Sequence, residues 1–220
     1  MLDVILCCYN SEDTIEDCVN SILSQTYESF NLYIFDDCSD DKTIEKIQQF
    51  KDNRITIISS RVNIGTYAGK NIVLKAFCDS SYIALHDADD ISEKNRFEKQ
   101  LNYMQEHNVG CVGTSVTEFW DNNISPHTLS KAIAANNSRK NLYPAKITKN
   151  DIESLIYYLE EDYEKYLNFK FCMNGTAMFD KSLLLKLGGW DGGTRIAADT
   201  DLFIRILSLT DIHNIQECLY

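Results

Sequence analysis

Short apolar runs ending in polar turns alternate with helical patterns through the first half of this chain, and that alternation narrows the possible folds most. Leu2–Tyr9 is a near-continuous apolar run, the pattern of a strand covered on both faces. Asn10 and Ser11 can cap the following helix, in which Ile15, Cys18, Val19, Ile22 and Leu23 recur at helical spacing. Asn31–Phe35, Ile55–Ser59 and Tyr82–Leu85 read as further strands, and Thr43–Phe50, Tyr67–Cys78 and Glu93–Glu106 as helices. The expected inward side chains are Ile44, Ile47 and Phe50 in the first of these helices. They are Ala68, Ile72, Val73, Ala76 and Phe77 in the second, and Phe97, Leu101 and Met104 in the third. Alternation with short links predicts a parallel, doubly wound α/β sheet with right-handed connections.

The second half is less regular. Val109–Trp120 has the period-2 character of a long strand, and 121–147 is polar and mostly loop. Ile152–Tyr166 reads as a helix, Cys172–Phe179 as a strand, and Ser182–Leu187 as a short helix stopped by Gly188 and Gly189. Thr200–Leu209 reads as the last helix. No linker divides the chain, so the expectation is one domain over 1–220, with a nucleotide-binding half at 1–110 and an acceptor-binding half at 111–220.

Composition excludes several classes. No apolar stretch reaches the length of a membrane span, and the N-terminus runs into a strand with no basic leader, so a soluble, cytoplasmic chain is expected. The 8 cysteines include no CxxC pair and sit in apolar runs, which suits reduced, buried thiols rather than a zinc ribbon. A net charge of −12 disfavours nucleic acid as a partner. An acidic protein with an anionic substrate must invert its field locally, and a divalent cation does so. The segment 127–149 runs against the balance with His127, Lys131, Arg139, Lys140, Lys146 and Lys149; it is either a solvated loop or a segment over an anionic ligand or acceptor.

The chemistry concentrates in Tyr82-Ile83-Ala84-Leu85-His86-Asp87-Ala88-Asp89-Asp90, where an apolar strand ends in crowded carboxylates. Like charges this close are tolerable if a cation sits among them or one stays protonated. Asp87 and Asp89 share a face in extended backbone, a start for a hard divalent metal. Ligands of open α/β sheets also gather at the carboxyl ends of strands. The competing reading is a solvated turn with Asp90 as a helix cap. Asp36-Asp37 and Cys8-Tyr9-Asn10 end two other strands at the same crevice. No GxGxxG follows the first strand and no GxxxxGK[ST] occurs, which argues against a dinucleotide enzyme and a P-loop NTPase.

In order along the chain stand Val4-Ile5-Leu6-Cys7-Cys8-Tyr9-Asn10, Ser21-Ile22-Leu23-Ser24-Gln25-Thr26 and Asp36-Asp37-Cys38-Ser39-Asp40-Asp41. Then come Asn63-Ile64-Gly65-Thr66-Tyr67-Ala68-Gly69-Lys70-Asn71, His86-Asp87-Ala88-Asp89-Asp90, Gly188-Gly189-Trp190-Asp191 and Ala198-Asp199-Thr200-Asp201-Leu202. This ordered set resembles the family-2 glycosyltransferases of the GT-A fold: a Rossmann-like, mainly parallel sheet flanked by helices, with a smaller mixed acceptor-side half. The resemblance implies an inverting, metal-dependent transfer of a hexose (glucose, galactose or N-acetylhexosamine) from a UDP-sugar to a glycan, protein or lipid-linked acceptor, with Mn2+ or Mg2+. It implies that Asp37 takes the uracil edge, with Tyr9 near the base and Cys7 contributing backbone. Lys70, where the family has Arg, would sit near base and diphosphate; Lys cannot fork bidentately as Arg does. Asp87 and Ala88 would face ribose and sugar, Asp89 the metal, and Asn174 and Gly175 the donor sugar. Asp199 would be the catalytic base, with Ala198 standing where the family has Glu.

Blander roles stand beside these. His86 reads as a strand residue rather than a ligand, His213 as a weak metal candidate, and Trp190 as either core or sugar platform. Tyr157, Tyr158 and Tyr163 read as packing, Asp191 as a turn former, and Asp201 as a partner of Arg195 or Arg205. The Gln-x-x-Arg-Trp motif of processive synthases is absent, so a non-processive enzyme is expected. Glu217-Cys218-Leu219-Tyr220 resembles the start of a longer family segment, so the catalytic domain is expected to continue past residue 220. A nucleotidyltransferase would need a basic Gly-rich loop after the first strand, and a non-catalytic sugar-binding relative would be favoured by Ala198 and Lys70.

Overall fold

The computed structural model describes residues 1–117, 143–151, 171–193 and 198–220. Eight strands among them form one sheet in the order β3-β2-β1-β4-β7-β5-β8-β6. The first four are β1 (Leu2–Cys8), β2 (Phe30–Asp36), β3 (Ile55–Ser59) and β4 (Tyr82–Asp87), all parallel to one another. Their register places Cys8 beside Asp36 and Cys7 beside Asp87, so the polar strand ends reach one edge together. The remaining four mix directions. β7 (Met178–Asp180) runs antiparallel between β4 and β5 (Cys111–Ser115). β8 (Ile212–Cys218) is parallel to β5 and antiparallel to β6 (Lys146–Ile147).

Strand alternation sends successive side chains to opposite faces, and each face has its own core. Val4 and Leu6 pack with α1 (Ile15–Leu23) and α4 (Arg96–His107) through Ile15, Ile22, Phe97 and Leu101. Ile5 and Leu85 pack on the other face with α3 (Thr66–Ala76), α5 (Lys181–Leu187) and α6 (Ala198–Leu207) through Val73, Leu184, Leu202 and Phe203. A short α2 (Thr43–Ile47) adds Ile47 to the first core. The Asp180 carboxylate caps α5 by accepting from the Ser182 and Leu183 amides. Gly188 and Gly189 end it at φ 83° and 82°, backbone that favours glycine.

The inward face of α3 differs from expectation. Ile72, Ala76 and Phe77 are exposed, and Tyr67, Gly69, Lys70, Val73 and Leu74 are buried. Gly69 explains the rotation: a Cβ there would lie 2.6 Å from the Phe35 ring, so glycine lets the helix rest directly on β2. Cys172–Phe179 is also not one strand; a 3-10 turn at Asn174–Thr176 precedes β7. Residues 146–147 pair as β6 rather than lying in loop, and β8 was legible only as a motif fragment. α4 starts at Arg96, after Asn95, so Asp90 is not its cap. The stretch 118–142, with His127, Lys131, Arg139 and Lys140, lies outside the described residues, as do Ile152–Tyr166 with its three tyrosines and Arg195. No described helix is long and apolar enough to cross a membrane.

Candidate active site

The carboxyl ends of β1 and β2 open onto a pocket of about 240 Å³ lined by Cys7, Cys8, Tyr9, Asp37, Asn63, Gly65 and Thr66. Tyr9 is half exposed at its mouth, whereas Asp37 is buried. The Asp37 carboxylate accepts from the backbone amides of Ile64 and Gly65, each at 2.8 Å, and Asn63 donates to its carbonyl at 3.2 Å. Those bonds bend the chain into α3 through Gly65 at φ 90°. Each carboxylate oxygen keeps a second lone pair. Asp36, also buried, accepts from the Ser39 amide at 3.3 Å.

The end of β4 is different. Asp87 is partly buried and pairs at 3.7 Å with the ammonium of Lys70, itself only 1% exposed. Burial is the main reason the nearby Cys7 thiol is pushed up to about 11, while Lys70 pulls the other way. Asp89 is exposed, and Ala88 is buried between the two acids. Asp90 is pushed up to about 7, first by burial and then by Asp87 and Asp89. Its amide donates to the Asp87 carbonyl at 3.4 Å.

A buried scaffold, which sequence reasoning missed, stands behind this strand end. Arg96 has no exposed surface and donates to the Leu85 carbonyl, the Gly175 carbonyl, Ser92 Oγ and Gln100 Oε1 at 2.9–3.0 Å. Gln100 in turn donates to the Val112 and Thr176 carbonyls. The pair therefore ties β4, β5 and the Asn174–Thr176 turn together. Its signal lay in the i, i+4 spacing of Arg96 and Gln100 beside the apolar Phe97 and Leu101. Tyr220 lies under the Arg96 guanidinium at 4.7 Å, and its hydroxyl accepts from the Asp87 amide at 2.8 Å. Gly175 fits here because a Cβ would collide with Tyr220 Oη and sit 2.6 Å from Asp87 Oδ2. Among the described residues the Asn174 side-chain oxygen beside it is buried without a hydrogen-bond partner.

His86 is buried in the same scaffold and does not face the site. Its Nδ1 lies 2.8 Å from the Asp87 carbonyl, which can only accept, so Nδ1 carries the proton and Nε2 accepts from Ser92 Oγ. Burial, then Arg96, pushes it down to about 3.

Asp199 enters from α6, its Oδ1 accepting from the Thr200 amide at 2.8 Å. Beside it stands Tyr67 of α3, pushed up to about 12 by burial and then by the Asp199 charge. Lys70 lies 5.7 Å from the Tyr67 ring, and the charges of Asp199 and, more weakly, Asp87 both act on this phenol. Ala198 is buried in the core, so the position offers no polar group to the cleft. The remaining candidates resolve as structural. Trp190 is buried edge-on against Phe179, Asp191 accepts from the Gly193 amide, Asp201 pairs with Arg205, and His213 pairs with Tyr103.

The exposed Asp89 and the crowded Asp90 fit a hard cation at the cleft edge. Among the described residues no three His, Cys, Asp or Glu side chains form a closed metal cage. Asp89 and Asp90 would supply only part of an ion's ligand shell, leaving the other positions to phosphate and water.

A family model described as Glycosyl transferase family 2 matches residues 3–188. The chain belongs to this glycosyltransferase family. It is 31% identical to the O-antigen biosynthesis glycosyltransferase WbnJ of Escherichia coli, covering 100% of this chain and 78% of that protein. It is 34% identical over 112 residues to the E. coli UDP-Glc:alpha-D-GlcNAc-diphosphoundecaprenol beta-1,3-glucosyltransferase WfgD, covering 51% of this chain and 44% of that one. The chain spans only 33% to 44% of the length of WfgD and two other curated relatives. The solved structure of S. aureus TarS 1-349 in complex with UDP superimposes with a TM-score of 0.72 at 17% identity, covering 100% of this chain and 59% of that one. The fold of this family-2 glycosyltransferase is therefore GT-A.

Proposed function

We propose that this chain is the catalytic part of an inverting, non-processive glycosyltransferase that moves a hexose from a UDP-sugar to an acceptor hydroxyl with Mn2+ or Mg2+. The observation that carries the reading is a base-sized pocket at the carboxyl ends of β1 and β2 beside the charge-crowded acidic end of the neighbouring β4. Residues 1–110 bind the donor and 111–220 the acceptor.

Cys7, Tyr9 and Asp37 line the pocket that takes uracil. Asp87, Ala88 and Lys70 face ribose and diphosphate, with Lys70 the buried positive charge on that side. Asp89 holds the metal, which when bound neutralises the diphosphate leaving group as a Lewis acid. Asn174 and Gly175 sit beside the donor sugar, where the unpartnered Asn174 oxygen is free to accept from a sugar hydroxyl. Asp199 takes the proton from the acceptor hydroxyl, a poor nucleophile without a base. One displacement inverts the anomeric centre and gives a β-linkage from an α-linked donor.

The printed activity of WfgD makes UDP-glucose and a GlcNAc diphosphate lipid the first substrates to try. UDP release from UDP-glucose is measured with Mn2+, with and without a short-chain alkyl GlcNAc-α-diphosphate. Acceptor-stimulated release that chelation abolishes is expected. Absence of both turnover and metal-dependent UDP binding, across UDP-glucose, UDP-galactose and UDP-GlcNAc, overturns the reading.

A further inference from the structure

On its β7 side, strand β4 runs out of strand partners before the acidic run begins. Among the described residues β7 pairs with β4 at Tyr82, Ile83 and Ala84, and the Leu85 amide still reaches the Ala177 carbonyl at 2.9 Å. The Asn174–Thr176 turn interrupts the ladder there. In a strand the amide two residues on faces the same side, so the Asp87 amide meets a side chain where a strand carbonyl would stand. Tyr220 Oη accepts from it at 2.8 Å. The Tyr220 ring is buried, with the Arg96 guanidinium 4.7 Å and the His86 ring 4.9 Å from its centre.

The residue before Tyr220 grips the far end of the same loop. The Leu219 carbonyl accepts from the Glu93 amide at 2.9 Å. Asp89 and Asp90 therefore lie on a loop whose two ends, Asp87 and Glu93, are tied to adjacent residues. That dipeptide is itself fixed to the end of β5. The Leu219 amide donates to the Ser115 carbonyl at 3.3 Å, and the Thr117 amide donates to the Tyr220 carbonyl at 3.0 Å. Gln25 holds the Glu93 end a second time, donating to its carbonyl at 2.8 Å. At the Asp87 end His86 holds the carbonyl and Tyr220 the amide.

We propose that Tyr220 is a positioning residue for the cation site, its hydroxyl extending the β4 ladder to Asp87 and so setting where Asp89 stands. This rests on the reading of Asp89 as the metal ligand. Asp89 is exposed, so its backbone, rather than packing around its side chain, fixes its place. Partners that orient a metal ligand without touching the metal cost about 10- to 100-fold in metal affinity when removed.

The test is Tyr220→Phe, which keeps the ring and its contacts with Arg96 and His86 and removes only the hydroxyl. UDP binding is titrated over a range of Mn2+ concentrations and with chelator, in wild type, Tyr220→Phe, Asp89→Ala and Ser80→Ala. The last removes another buried hydroxyl's hydrogen bond, to Asp3 at the opposite end of β1. Tyr220→Phe is expected to raise the Mn2+ concentration needed for half the gain in UDP affinity about 10- to 100-fold, with chelator-treated UDP affinity unchanged. Ser80→Ala should match wild type in both. A wild-type Mn2+ requirement in Tyr220→Phe, beside an Asp89→Ala that has lost the Mn2+ effect, overturns the proposal and leaves the cation site standing. An equal shift in Ser80→Ala, or a chelator-treated UDP affinity that falls in step in Tyr220→Phe, also overturns it, since general loosening then explains the loss. A Mn2+ effect absent from wild type, or intact in Asp89→Ala, removes the reading of Asp89 and the proposal with it.

Discussion

Asp36-Asp37 at the end of β2 and Asp87–Asp90 at the end of β4 look alike as sequence, since each is a run of acids closing an apolar strand at the same sheet edge. Their environments are opposite. The first pair is buried and accepts from the amides of Ser39, Ile64 and Gly65. Asp3, wholly buried at the start of β1, is satisfied in the same way by Asn31, Asp79 and Ser80. Carboxylates supplied with N–H donors have their hydrogen-bonding demand met by the protein itself. The second run is supplied differently: Asp87 pairs with the Lys70 ammonium, Asp89 is exposed, and Asp90 is pushed up to about 7 by burial and its acidic neighbours, with Tyr220 pulling the other way. Acids that organise backbone and acids left to bind a ligand can therefore be told apart by their partners rather than by their motif.

A carboxylate used for chemistry should cost turnover and spare the fold, and a carboxylate used for the fold should do the reverse. Asp199→Asn tests the first half most severely. General-base removal is expected to cost about 10³-fold in kcat, with UDP affinity and thermal midpoint unchanged; initial-rate kinetics beside a UDP titration check it. Asp37→Ala tests the second half. Stranding the Ile64 and Gly65 amides should cost about 3 kcal/mol of folding free energy, read from urea midpoints. UDP affinity should fall with it, because Asp37 also lines the base pocket; a variant that lost UDP affinity at full stability would remove its role in holding the backbone.

Gly175→Ala presses on the β4 run from behind. The added methyl meets Tyr220 and Asp87, and overpacking of this kind costs about 2 kcal/mol. Metal-dependent UDP affinity should fall with it, while Gly188→Ala, which meets no atom within 4 Å, should leave affinity unchanged.

His86 sharpens the contrast through pH. Its folded value of about 3 lies below the ordinary 6.5, so the unfolded chain binds the proton first as pH falls. The stabilisation from keeping His86 neutral is therefore full above pH 6.5 and declines below it, by about 1.4 kcal/mol per pH unit. The stability advantage of wild type over His86→Gln should shrink by about 2 kcal/mol between pH 7 and pH 5, read from urea midpoints at both values. The paired difference matters, because Asp90 shifts in the opposite direction over the same range.

Much of the donor half was legible because strand and helix periods differ and the runs were clean. β1, β3 and α1 lie where the apolar pattern puts them, and Cys7, Asp37 and Asp87 converge as their strand ends require. Side-chain polarity misled where charge is buried. Lys70 and Arg96 are absent from the expected inward faces of their helices, yet Asp87 and a set of carbonyls and side-chain oxygens draw them inside. The face of α3 was misjudged for the same reason, since Tyr67 and Lys70 displaced Ile72 and Phe77 from the core. The 3-10 turn at Asn174–Thr176 interrupts an apolar run that period alone reads as strand. The insertion of β7 between β4 and β5 depends on pairing across the sequence, which no local pattern encodes.

The central claim is that the β4 acids bind a cation on which nucleotide binding depends. Calorimetric titration of UDP into wild type and Asp89→Ala, each with Mn2+ and with chelator, tests it most directly. Mn2+ should tighten UDP binding at least about 10-fold in wild type, equivalent to about 1.4 kcal/mol, and should have no effect in Asp89→Ala, whose chelator-treated affinity matches wild type. Equal Mn2+ enhancement in both proteins, or none in wild type, would contradict the account.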